Sequence, residues 1–139
     1  MARVTDNSIT LAASAARTTT GSGSEVRLDK GVRSFQFVLD VTVDESTAAD
    51  KLDVYIQTKV DDTNWVDVVH FTQHDGNTGA ARYFAKICAD VATSAFANSA
   101  ALAEANVRNF FGPAWRVRWA VTDDSGNASF TFSVTLCPY

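Results

Sequence analysis

Two histidines, His70 and His74, stand four residues apart, and Asp75 follows the second directly. That spacing places both rings on one face of a helix or of a strand. A metal centre needs three or four ligands with supporting groups, and the run Gln73-His-Asp-Gly-Asn-Thr-Gly79 reads as a loop with a turn at Asp75-Gly76. No metal site is therefore expected. Serines are plentiful, yet none lies in a Gly-x-Ser-x-Gly elbow. Gly21-Ser-Gly-Ser24 lacks the preceding strand and following helix that a phosphate loop requires. Cys88 and Cys137 have no histidine beside them and read as free structural thiols. The acidic pairs Asp61-Asp62 and Asp123-Asp124 sit in turns. Adjacent strand residues point opposite ways, so neither pair makes a catalytic dyad. The expectation is a chain with no catalytic residues and no cofactor, and not an enzyme.

Binding leads are more numerous. Arg116 and Arg118 share the polar face of one strand, where pairing with Asp53 or Asp40 is the plain reading and a binding role the sharper one. Phe110, Phe111 and Trp115 cluster around Gly112-Pro113, where some are core and some face a partner. The small, polar N-terminal stretch 1–24 carries only Val4, Ile9 and Leu11 as apolar anchors. It reads as an arm that orders on a neighbouring chain, or as a first strand, ahead of the domain proper at 25–139. Val4, Ile9, Leu11, Phe110, Phe111 and Trp115 are the candidate partner-binding residues.

The elements that would position these residues are strands. Phe35, Phe37, Leu39, Val41 and Val43 alternate with polar neighbours, as do Leu52, Val54 and Ile56. Period-two alternation of aromatic and β-branched residues marks a half-buried strand. Trp65, Val69 and Phe71 fall on one face of a further strand, with Val66, Val68 and His70 on the other, and Tyr83, Ala85 and Ile87 share a face of the next. Trp115, Val117, Trp119 and Val121, then Phe130, Phe132, Val134 and Leu136, read as a β-hairpin across Asp123-Asp-Ser-Gly-Asn127. Residues 90–109 fit either a short helix or an irregular connection. Many short strands predict an all-β fold: a single antiparallel, jelly-roll-like sandwich with an extended N-terminal arm.

At 139 residues with 46% hydrophobic content the chain can build one core. Its charged fraction of 20% and net charge of −4 argue against a nucleic-acid partner. No apolar run reaches membrane-spanning length, and Met1-Ala-Arg-Val-Thr-Asp-Asn-Ser lacks the apolar segment of a signal peptide.

Several stretches, in order, carry a resemblance: Ser14-Ala-Ala-Arg-Thr-Thr-Thr-Gly-Ser-Gly-Ser-Glu-Val-Arg-Leu28, Phe37-Val-Leu-Asp-Val-Thr42, Leu52-Asp-Val-Tyr-Ile-Gln-Thr58, Asn64-Trp-Val-Asp-Val-Val-His-Phe-Thr-Gln73, Trp115-Arg-Val-Arg-Trp-Ala-Val-Thr122 and Ser129-Phe-Thr-Phe-Ser-Val-Thr-Leu136. The series resembles small virion proteins encoded among the structural genes of tailed bacteriophages, some of which are head decoration or cement proteins. The resemblance implies a structural protein of the capsid surface, assembled in the host cytoplasm. The partners it implies are the major capsid protein or further copies of the chain, as trimers at local symmetry axes. A tail or head–tail joining component is the nearest alternative. A carbohydrate-binding module using Tyr55, Trp65 and Trp115 is a third, although Trp65 and Trp115 sit at apolar-face parity, which favours burial.

Overall fold

The computed structural model describes residues 8–28, 31–44, 47–97 and 101–138. Among these there is no helix, and eleven strands form two antiparallel sheets. The strands are β1 (Ile9–Arg17), β2 (Gly21–Ser22), β3 (Val26–Arg27), β4 (Ser34–Asp44), β5 (Lys51–Lys59), β6 (Trp65–His70), β7 (His74–Asp75), β8 (Ala81–Cys88), β9 (Asn106–Val107), β10 (Ala114–Thr122) and β11 (Phe130–Pro138). The first sheet runs β1-β11-β4-β8. The second runs β2-β10-β5-β6-β9, with β3 also on β10 and β7 on β5.

The pairings are nested. β5 and β6 form the innermost hairpin, β4 and β8 flank it, β2 and β3 meet β10 outside that, and β1 closes on β11. This is one long antiparallel ribbon, rolled so that successive pairs fall in alternate sheets, which is the jelly-roll arrangement of a β-sandwich. The expected β10–β11 hairpin is not present: β10 pairs with β5, and β11 pairs with β4 and β1. Each strand has one apolar face, and the two faces meet across the core instead of lying side by side.

The inner faces follow the alternation. Phe37, Leu39, Val41, Val54, Ile56, Val117, Phe130, Phe132, Val134 and Leu136 are fully buried and pack as one cluster. β1 shifts register twice against β11, between Thr10 and Ala12 and between Ala12 and Ala15, and one-residue bulges break the pattern in β4 and in β6. Opposite Thr131 and Phe132 the register of β4 skips Thr42, so Val43 turns outward, 42% exposed, and Asp44 turns inward. Opposite Ile56 and Gln57 the register of β6 skips Val68. Val69 therefore stays in the core while Trp65 and Asp67 lie on the outer face, so Trp65 is not the core residue its parity suggested.

Ile9–Arg17 belongs to the sheet of its own chain, antiparallel to β11. For these residues the structure shows the first strand, not a detached arm. Arg17 holds it there, donating to the carbonyls of Ala13, Ala15 and Phe132 and lying over the Trp119 and Phe132 rings.

Candidate functional site

The first sheet ends on β8, one of whose edges has no strand neighbour among the described residues. An edge strand presents a row of backbone N–H and C=O groups to any extended chain that approaches it. Its outward side chains are Arg82, Phe84 and Lys86, because Tyr83, Ala85 and Ile87 face the core as their spacing predicts. Phe84 is 65% exposed, the most exposed large apolar side chain among the described residues. It lies beside Val38 on β4, while Arg82 is paired at 3.3 Å with Asp40. Between β8 and the facing edge of the second sheet runs a groove of about 310 Å3, with Val69, Phe71, Ala85 and Val107 among its apolar lining.

The outer face of the second sheet carries a different surface. Arg118 Nη2 donates to Asp67 Oδ2 at 3.2 Å, Gln57 Nε2 to Asp67 Oδ1 at 2.8 Å, and Arg116 Nε to Gln57 Oε1 at 2.8 Å. Neither arginine takes the expected partner, since Asp53 serves His70 and Gln73, and Asp40 lies on the other sheet. The guanidinium of Arg116 stands 4.3 Å over Trp65 and that of Arg118 stands 3.8 Å over Tyr55. Burial and the neighbouring Arg118 charge lower the Arg116 pKa from its ordinary value. These stacks use the two rings as platforms for the chain's own cations. Trp115 is buried, so the aromatic set suggested for sugar binding is not displayed together.

Inside the sandwich the inward turn of Asp44 creates a polar cluster. His74 is fully buried, with Nε2 3.0 Å from Asp44 Oδ2 and Nδ1 2.9 Å from the Tyr83 hydroxyl. Burial, followed by the charges of Asp75 and Asp44, raises the Tyr83 pKa. The carboxylate accepts and the hydroxyl donates, so a neutral ring with its proton on Nε2 satisfies both contacts. Phe130 meets the His74 ring edge-on at 5.9 Å, and Tyr83, the outermost member, also lines the groove beside β8. Asp50 is equally buried and pins the Asp123–Asn127 crossing. Its carboxylate accepts from the Ser125 hydroxyl and from the backbone N–H groups of Ser125, Thr47 and Asp124, which hold its pKa down to about 2. Asp61 caps the β5–β6 turn in the same manner, also at about 2, through the Asn64 amide and the N–H groups of Thr63 and Asn64.

Most of the sequence-derived partner residues are spent on the fold. Leu11 and Trp115 are core residues, and Ile9, Phe110 and Phe111 are half-buried against the core; Val4 lies outside the described residues. Phe111 stacks on Phe35 at 5.0 Å and meets Trp115 edge-on. Cys88 and Cys137 are free and separated by β4, which pairs with both strands. Phe84 carries no signal in the sequence alone, because only its place on an edge strand makes it conspicuous. Comparison with family models, with curated proteins and with solved structures finds no match.

Proposed function

We propose that this chain is a structural protein of a tailed-bacteriophage particle, a decoration or cement subunit that binds and stabilises the head shell. The observation that carries the reading is Phe84, a large apolar ring exposed at the middle of an edge strand. Exposed apolar groups beside free backbone edges favour strand addition by a partner. The charge pattern selects the partner. Two copies meeting antiparallel through β8, centred on Phe84, would bring Lys86 of each against Arg82 of the other, which already has Asp40 as its counter-ion, and a second cation there is unfavourable. An acidic strand of the major capsid protein, with an apolar residue at its centre, fits the same edge without that conflict.

The test is co-sedimentation of the purified protein with phage heads prepared without it, for the native chain and for Phe84→Ser. Saturable binding by the native chain, weakened roughly tenfold or more by the substitution, is expected, as for a buried aromatic anchor. Failure of the native chain to bind heads overturns the role. Undiminished binding by Phe84→Ser overturns the β8 edge as the contact.

A further inference from the structure

His70 is held between two groups that accept hydrogen bonds and donate none. Its Nδ1 lies 2.9 Å from the Leu102 carbonyl oxygen, and its Nε2 lies 2.9 Å from Asp53 Oδ1. The second oxygen of Asp53 already accepts from the Gln73 amide at 2.8 Å. A neutral imidazole has one N–H, so two acceptor-only partners require a proton on both ring nitrogens. The contrast with His74 is direct, because one of its partners is a hydroxyl that can donate.

We propose that His70 is a proton-dependent latch: as an imidazolium it ties the 101–107 segment to the second sheet, and loss of one ring proton releases that segment. Among the described residues the segment is fastened at its end by the Arg108 N–H, which donates to the Val68 carbonyl at 2.8 Å. Leu102 is held by the ring, the Glu104 carboxylate accepts from the Gln73 N–H, and β9 pairs with the end of β6 through Val69 and His70. Ala105, between them, has φ +61°, a left-handed conformation that costs a non-glycine residue about 1 kcal/mol or more.

The surroundings fix the direction. From β5, Asp53 faces the ring edge and Tyr55 stacks on it, with centroids 4.0 Å apart. Arg118 of β10 lies over Tyr55 and is paired with Asp67; Glu104 comes from the loop, and Arg82 and Tyr83 line the groove from β8. Both contacts of the doubly protonated ring are to acceptors, and Arg118 has Asp67 as its own counter-ion. When the ring loses a proton, the carboxylate is the stronger acceptor and keeps the remaining N–H. The Nδ1 lone pair then faces the Leu102 carbonyl, and that contact breaks. The latch is therefore closed at low pH and opens as pH rises through the ring titration. Val107 and Asn106 form one wall of the groove beside β8, so opening widens that groove whatever it binds.

The experiment is nuclear magnetic resonance on the full chain from about pH 5 to 9, the range in which histidines ordinarily titrate. Ring nitrogen shifts should show His70 with both nitrogens protonated at the acid end. Amide hydrogen exchange at residues 102–107, corrected for intrinsic base catalysis, should accelerate roughly tenfold or more as His70 loses its proton, the effect of losing one charge-assisted hydrogen bond. Asp53→Asn supplies the decisive variant. Its amide can donate to a neutral Nε2 while Nδ1–H keeps Leu102, so the exchange of 102–107 should lose its dependence on His70. A neutral His70 at the acid end, a ring that never titrates in this range, or titration without a change in exchange would each overturn the latch.

Discussion

Gly112→Ala is expected to be among the most destabilising single-methyl changes in this protein. A Cβ at position 112 would lie 1.7 Å from the Lys59 carbonyl oxygen and 2.8 Å from Thr58 Oγ1. Real Cβ contacts essentially never fall below 3.0 Å, so the 110–113 turn must lift from β5 by more than an ångström. Lifting disturbs a small network: the Gly112 N–H donates to Thr58 Oγ1 at 3.1 Å, and that buried hydroxyl donates to the Ala114 carbonyl at 2.8 Å. It also pulls Phe111 from the ring cluster of Phe35 and Trp115. Overpacking costs roughly 1–3 kcal/mol, and an unsatisfied buried hydrogen-bonding group adds about 1–3 kcal/mol. A total of about 2–6 kcal/mol follows, which for a chain of this length lowers Tm by about 7–20 °C. Urea unfolding followed by tryptophan fluorescence reads it directly, because Trp115 is buried beside the site. A loss below about 1 kcal/mol would refute the packing of this turn and return Phe110 and Phe111 to the list of partner-facing residues.

Deleting Ile9–Arg17 removes the neighbour of β11 and the buried Leu11, so it should destabilise by at least about 3 kcal/mol; a truncated chain with unchanged Tm would contradict the pairing. Asp50 and Asp61 have folded pKa values near 2, below the ordinary 3.8, so the stability they contribute is present above about pH 4 and drains away as pH falls toward 2. Urea midpoints should fall across that window, and Asp50→Asn should lower stability at neutral pH and flatten the dependence. Cys88 and Cys137 lie on strands two apart, roughly 10 Å, beyond the reach of a disulfide. Oxidation of the folded protein should therefore give no intrachain loss of two hydrogens by mass spectrometry.

The alternation in β4, β5, β8, β10 and β11 was legible because a period-two pattern needs no knowledge of partners. What defeated it were single residues. One bulge at Thr42 sends Val43 out and Asp44 in, and one at Val68 sends Trp65 to the surface. Neither carries a local signature, because a bulge is fixed by the register of the partner strand. The β10–β11 turn looks like a hairpin turn in sequence, yet its strands join opposite sheets, a choice made by the nested pairing of distant strands. Asp50 and the Asp44–His74–Tyr83 cluster were invisible for the same reason, since their partners are remote in sequence. Of the proposed contact residues, Leu11 and Trp115 were apolar enough to attract notice and, for that reason, are buried. Phe84 looks ordinary until its strand is known to be an edge.

The most direct test of the proposed role is an electron cryomicroscopy reconstruction of tailed-phage particles prepared without this protein and then incubated with it. The account predicts jelly-roll density on the outside of the head shell, with β8 and Phe84 packed against the capsid protein. Density for the chain in the tail, or particles that remain without it, would contradict the account.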